Sequence, residues 1–187
     1  EYLKELDKNH LDIIINSEGA VNPLFLKVIL AELRVFGSFA NLGEKIQNDF
    51  GTSPVDAFIG ILMRLENDPS YFQIESKVTV PLLFGLISHA RYGLSEEELV
   101  SIFLKELGED DTHEKREELK DSIRLIFRQL RQFLAIRDGR YDFFYESLRL
   151  AAIERYEGDN KELFQRLSTE WHRILANYFE KEPVWIS

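Results

Sequence analysis

Three helix-start signals most constrain what this chain can fold into, because they divide it into short amphipathic helices. Asn22 can cap a helix whose first residue is Pro23, a position where the missing N–H of proline costs nothing. Ser53 repeats that arrangement before a second proline, and Ser95 with Glu98 forms the pattern of a capping box. Apolar residues recur at helical spacing after each signal. The chain is therefore predicted to be mainly α-helical.

The composition is that of a folded acidic protein. The chain has 187 residues, of which 44% are hydrophobic and 30% charged, enough for one large domain or two small ones. Its net charge of -10 argues against a general attraction to nucleic acid or anionic membranes. The lack of cysteine excludes disulfides, thiol catalysis and cysteine-based zinc sites. No apolar stretch or signal peptide indicates membrane insertion or export, so a cytoplasmic protein is predicted.

Residues 1–75 are predicted to form a helical subdomain. Apolar spacing favours five helices, which begin near Leu3, His10, Asn22, Ser38 and Ser53. The third has the clearest boundaries, because Gly37 stands where it would end and glycine is favoured at that position. The chain opens inside a helix-like segment without an initiator methionine, and we interpret it as an excised fragment.

Residues 76–145 are predicted to form a winged-helix domain. Helices are expected over Val80–Ala90, Ser95–Leu107 and Glu114–Gln132. Asp138-Gly139 then separates two short runs, and this dipeptide is a strong signal for a two-residue hairpin turn, since both residues tolerate positive φ. Three helices followed by a hairpin is the winged-helix order. Residues 146–187 return to helical spacing and are predicted to be a C-terminal helical extension.

Several stretches resemble one known family. Asn22-Pro23-Leu24-Phe25-Leu26 is similar to the motif that opens the helical subdomain of STAND-class NTPases of the NACHT type. Gly93–Leu99 resembles the second helix of their winged-helix domain, and Arg140–Arg149 resembles the end of the wing with the helix after it. Phe164–Phe179 resembles the helices that lead into a sensor repeat array.

The resemblance implies a regulatory segment without its own catalytic machinery. In the family the proline of the first motif lies against adenine, which implies a cofactor contact at Pro23 in the intact protein. A histidine in a Met-His-Asp-type motif senses the bound nucleoside diphosphate; the matching pair here is Tyr145 and Glu146, so that histidine is absent. The implied partners are the nucleotide-binding core and the sensor repeats of a parent chain. ATP or ADP would belong to that parent, and no cofactor is expected in this segment itself.

Plain structural roles remain open for both residues. Pro23 is also what the first turn of a helix favours. Tyr145 is also an aromatic residue at a strand-to-helix junction, where packing against Phe143 or Phe144 would account for it.

A DNA-binding winged helix is the main alternative function. Arginines lie on the predicted recognition helix and beside the hairpin turn, where such domains contact phosphates and base edges. They are Arg124, Arg128, Arg131, Arg137 and Arg140. Acidic neighbours and the negative net charge favour a solvated or protein-facing surface instead. A helical protein-interaction scaffold without any switch is the second alternative.

The sequence contains no motif for catalysis or metal binding. It has no phosphate-cradling glycine-rich loop, Walker lysine or nucleophile elbow. The histidines, His10, His89, His113 and His172, are scattered without a second ligand at metal spacing. The loop cluster of Asp110, Asp111, His113 and Glu114 could hold a cation weakly, but it is interpreted as solvated acidic surface, because its spacing imposes no coordination geometry. The chain is therefore predicted not to be an enzyme.

Overall fold

The computed structural model describes residues 8–35, 50–68, 76–158 and 161–180, and these residues are mainly helical with one small antiparallel sheet. The predicted helical class is therefore confirmed. The chain divides into two compact units, residues 1–64 and 65–187, which are described separately below. None of the helices in the described ranges is both long and apolar enough to cross a bilayer.

The first unit is built from helices whose starts follow the sequence signals. Its described elements are α1 (Lys8–Asn16), a 3₁₀ turn (Glu18–Val21), α2 (Pro23–Val35) and most of α3 (Pro54–Asn67). The Asn22 side-chain oxygen accepts a hydrogen bond from the backbone N–H of Leu24 at 2.9 Å. Ser53 and Asp56 cap each other's backbone N–H groups in the same way, so both predicted starts are confirmed. The predictions for residues 1–7 and 36–49, including a helix end at Gly37, lie outside the described residues.

The second unit carries the remaining elements. They are α4 (Ser76–His89), β1 (Leu94–Ser95), α5 (Glu96–Leu107), α6 (His113–Gln129), β2 (Leu134–Arg137), β3 (Arg140–Phe143), α7 (Glu146–Glu157) and α8 (Lys161–Phe179). Helix α4 is the centre of the packing, because it contacts α5, α7, α8 and β3. Its side chains Leu83, Phe84 and Leu86 are fully buried. Such a helix, apolar on more than one side, fits the interior of a unit rather than its surface.

The sheet is three-stranded, with β3 between β1 and β2. The predicted two-residue turn is confirmed, since Asp138 and Gly139 join β2 to β3 with φ values of 50° and 74°. The prediction of a lone hairpin was incomplete, because β1 pairs antiparallel with β3 through Leu94 opposite Tyr141. A strand of two residues shows no alternation of apolar and polar side chains, so the sequence contained no signal for it.

Gly93 permits the approach of β1 to β3. Its φ is +69°, a left-handed value that favours glycine, and an added Cβ would collide with the backbone carbonyl of Tyr141. A backbone oxygen held in a strand cannot move aside easily. The pairing of β1 with β3 therefore requires glycine at this position.

The carboxylate of Glu98 joins the start of α5 to the sheet. Oε2 accepts the backbone N–H of Ser95 at 2.8 Å, and the Ser95 hydroxyl accepts the N–H of Glu98 at 3.2 Å, which completes the predicted capping box. The same carboxylate accepts hydrogen bonds from both terminal nitrogens of Arg140, at 2.8 and 2.5 Å. Arg140 also donates to the carbonyl of Gly93 at 3.3 Å. One side chain thus fixes the helix start, the entry to β1 and strand β3 together.

Truncation at Glu98 should destabilise the second unit more than loss of the cap alone. We expect Glu98→Ala to lower the free energy of unfolding by about 2 kcal/mol, because it removes a cap and leaves a half-buried guanidinium without its anion. Ser95→Ala should cost about 1 kcal/mol. Glu97→Ala, which removes exposed ion pairs to Lys120 and Arg116, is the control and should cost under about 1 kcal/mol. Urea unfolding of the variants measures the differences, and equal effects at positions 97 and 98 would contradict the assignment.

Helices α4 and α8 approach each other at Gly85. A Cβ built on Gly85 would lie 2.7 Å from Cε2 and Cζ2 of the Trp171 ring. A real side chain there would have to displace the indole and, with it, the part of α8 that carries it. The absence of a side chain at position 85 therefore sets the distance between these helices.

Substitution of Gly85 by leucine should separate α4 from α8. We expect Gly85→Leu to cost about 1–3 kcal/mol, the usual penalty for overpacking. Trp171→Ala should remove the obstacle, so the double variant should be less destabilised than the sum of the single variants. A double-mutant cycle by urea unfolding measures this coupling, and strict additivity would show that the two residues do not limit each other.

Candidate functional site

The two residues matched to nucleotide contacts have different surroundings. Pro23 is the exposed first residue of α2 in the first unit. Tyr145 is half-buried immediately before α7 in the second unit, and its side chain makes no helix cap. Its ring lies 4.9 Å from that of Phe144 and 6.3 Å from that of Phe133, centroid to centroid. Both are edge contacts typical of packed aromatic residues.

The five arginines of the DNA-binding alternative differ in how much free charge they offer. Arg124 donates two hydrogen bonds to the carboxylate of Glu96, at 2.8 and 2.6 Å. Arg140 is bound to Glu98 as described above. Arg128, Arg131 and Arg137 are exposed, as is Arg124 despite its ion pair. The basic stretch seen in the sequence is therefore partly neutralised in the folded unit.

A cavity of about 810 Å³ lies in the second unit, between the end of α4, the β2–β3 hairpin and α8. The α4 end contributes His89 and the turn after it, including Arg91 and Tyr92. The hairpin and α8 contribute the other walls. Their lining residues are Arg137, Asp138, Arg140 and Asp142 from the hairpin, and His172, Leu175, Ala176 and Phe179 from α8. The volume falls in the range of pockets that hold small organic ligands.

Ion pairs fix two of the charged groups in the cavity wall. Arg140 is held by Glu98, and Asp142 accepts a hydrogen bond from Arg149 at 2.6 Å. Arg149 also donates to the carbonyl of Ser88 at 2.6 Å, which satisfies a carbonyl at the C-terminal end of α4. The wall is thus held in place by groups whose charges are already balanced.

A buried acid and histidine lie beside the cavity. His89 Nε2 is 2.9 Å from Oε1 of Glu157, a residue only 1% exposed at the end of α7. The His89 ring also meets that of His172 edge-on, at 4.9 Å between centroids. Neither Glu157 oxygen has a well-aligned hydrogen-bond donor within the described ranges. A carboxylate in this position is poorly stabilised by its surroundings.

The contacts of His89 indicate where its proton lies. Nδ1 is 2.9 Å from the carbonyl oxygen of Gly85, and a carbonyl only accepts, so Nδ1 carries a hydrogen. Nε2 and the Glu157 oxygen would then present two lone pairs to each other unless one proton lies between them. The buried pair is therefore most stable when it holds one proton besides the Nδ1 hydrogen, shared between Nε2 and the Glu157 oxygen.

Burial shifts the pKa values of Glu157 and His89 in opposite directions. It raises the pKa of Glu157 above its ordinary value and lowers the pKa of His89 below 6.5, with a smaller lowering from the charge of Arg149. Because the pKa of Glu157 is raised, its contribution to the free energy of unfolding is fully present below the ordinary pKa of 4.5. That contribution is lost as the pH rises through the raised pKa. Because the pKa of His89 is lowered, its contribution to the free energy of unfolding is present above pH 6.5 and is lost as the pH falls through the lowered pKa.

The Glu157 carboxylate should therefore destabilise the second unit at alkaline pH. We expect Glu157→Gln to raise the melting temperature at pH 8, because the neutral amide removes the buried charge and can donate to Nε2 of His89. The gain should shrink as the pH falls towards 4.5, where the wild-type acid is protonated too. Glu154→Gln, on the exposed face of the same helix, is the control. Thermal melts from pH 5 to pH 8 test this, and a gain that does not depend on pH would contradict it.

The described ranges contain no group of three or more histidine or acidic side chains placed to hold a metal ion. In the acidic loop, Asp111 accepts two hydrogen bonds from Arg116, at 2.6 and 2.8 Å. This pairing lowers the pKa of the Asp111 carboxyl.

The comparisons with known proteins found no matching family model, no similar curated protein and no similar solved structure. The function is therefore argued from the residues and from the geometry of each unit.

Sequence reasoning missed the cavity and the Glu157–His89 pair. The cavity walls come from three segments that are far apart along the chain. Glu157 stands next to Gly158 at a helix end, a position where an acid is ordinarily solvated. The only available signal was His89 at the end of a strongly apolar helix.

Proposed function

We propose that this chain is a non-catalytic regulatory segment of a STAND-class, NACHT-like signalling NTPase. The observation that carries the proposal is a contact between two of the stretches that resemble the family. Gly93–Leu99 and Arg140–Arg149 pair through β1 and β3, and Glu98 of the first stretch binds Arg140 of the second. Two similar stretches about 40 residues apart that meet in one sheet are expected of a shared fold rather than of chance similarity.

The order of elements in the second unit supports a winged-helix identity. Helix, strand, helix, helix and a two-stranded hairpin follow one another, and β1 pairs with β3 across from β2. This is the arrangement expected of a winged helix, with β2 and β3 as the wing. In a switch protein such a domain would pack on the nucleotide-binding core in one state and leave it in the other.

The roles proposed for individual residues follow the resemblance. In the complete cytoplasmic protein Pro23 would lie against the adenine of bound ATP or ADP, and its exposed position leaves its ring accessible. Tyr145 would occupy the position of the nucleotide-sensing histidine. The partners would be the nucleotide-binding core and the sensor repeats of the same chain.

The arginine contacts favour this proposal over DNA binding. Arg124 and Arg140 are engaged by Glu96 and Glu98, and phosphate contacts supply most of the affinity of DNA-binding domains. The net charge of -10 would further oppose a polyanion. A regulatory surface that meets another protein domain needs no excess of positive charge.

The proposal predicts a bound nucleotide in the complete encoded protein. We expect native purification followed by acid denaturation to release about one adenine nucleotide per chain. Pro23→Ala should lower the retained fraction, because the variant loses a contact with adenine. Pro54→Ala is the matched control, since Pro54 is also the first residue of a helix.

Three results would overturn the proposal. One is a complete protein without any nucleotide, and another is equal retention in the two proline variants. The third is salt-sensitive binding of duplex DNA that Arg128→Glu and Arg131→Glu abolish, which would identify a DNA-binding protein instead.

A further inference from the structure

We propose that the cavity between the α4 end, the hairpin and α8 binds a small organic anion, with an aromatic or aliphatic body and one carboxylate or phosphate group. The proposal is independent of the nucleotide switch, because it rests on the lining residues of the second unit alone. The cavity volume of about 810 Å³ suits a small organic ligand.

Unbalanced positive charge at the cavity indicates an anionic ligand. Of the three lining arginines, Arg140 is neutralised by Glu98, whereas no carboxylate partner is recorded for Arg91 or Arg137 in the described part of the chain. The lining carboxylate Asp142 is neutralised by Arg149. Asp138, exposed at the hairpin tip, offsets one of the two remaining arginines. The cavity therefore retains about one positive charge in a strongly acidic protein.

The remaining lining suits the apolar part of a ligand. Ala90 and Leu175 are buried, and Phe179 and Tyr92 expose 38% and 70% of their surface. The guanidinium of Arg91 lies 5.1 Å from the centre of the Tyr92 ring, so a cation and an aromatic face stand together at the rim. Arginine beside an exposed aromatic side chain can bind an anion and stack on a planar group at once.

The surroundings favour a small ligand over a polymer. A single unbalanced charge in a protein of net charge -10 attracts one anionic group, while the rest of the surface repels a polyanion. The ligand would touch both the hairpin and α8. Binding should therefore stabilise the second unit by holding these two elements together.

Matched probes that differ only in charge test the proposal on the chain itself. The anionic probes are 2-naphthylacetate and 2-naphthyl phosphate, and 2-naphthylacetamide is the uncharged counterpart of the first. We expect the anions to raise the melting temperature progressively as their concentration exceeds the dissociation constant. They should bind about tenfold more tightly than the amide, as one added charge-assisted hydrogen bond would give. Calorimetric titration measures the affinities, and the tighter of the two anions identifies the preferred head group.

Variants then locate the site. Arg137→Gln should weaken binding of the anions about tenfold and leave binding of the amide unchanged. Arg131→Gln changes an exposed arginine outside the cavity and should have no effect. Ala176→Trp, at an exposed position of the lining, should fill the cavity and abolish binding of all three probes while the free protein still melts cooperatively. The proposal would be overturned if neither anion bound, or if the acetate and the amide bound equally. It would also be overturned by equal losses in the two arginine variants, or by undiminished binding to Ala176→Trp.

Discussion

The arrangement of the second unit depends on the contacts that the carboxylate of Glu98 makes with Ser95 and Arg140. The carboxylate satisfies the exposed backbone N–H of Ser95 at the start of α5 and binds the guanidinium of Arg140 in β3. Arg140 in turn reaches the carbonyl of Gly93, so the turn, the short strand β1 and the hairpin are held at one point. The hairpin forms one wall of the cavity, and the same contact therefore positions the candidate ligand site.

Local chemistry explains what the sequence could predict. The capping box of Ser95 and Glu98 and the turn at Asp138 and Gly139 each depend on at most four consecutive residues, and both are present as predicted. Strand β1 has two residues and exists only because β3 lies beside it, so no local pattern announces it. The cavity and the contact of His89 with Glu157 arise from tertiary packing of α4, α7 and α8, which sequence periodicity does not specify.

The arginines show why residue type alone misleads about surface charge. The sequence places Arg124 and Arg140 in a locally basic region, yet each is engaged by a glutamate from the start of α5. Arg155 is likewise bound to Glu66. Carboxylates of this acidic chain thus neutralise several of its arginines in the folded unit. At the cavity, Arg91 and Arg137 have no carboxylate partner within the described ranges, so their charge is available to a ligand.

The contact of His89 with the buried carboxyl of Glu157 couples an opening of α7 away from α4 to the release of a proton, over the pH range between two pKa values. At a pH above the ordinary histidine pKa of 6.5 and below the raised pKa of buried Glu157, the solvated side chains are neutral histidine and carboxylate, whereas the closed pair holds one further proton. Each opening then releases a proton to the buffer, and each closure takes one up. The heat of such a transition consequently contains the ionisation enthalpy of the buffer, so it differs between phosphate and Tris at the same pH.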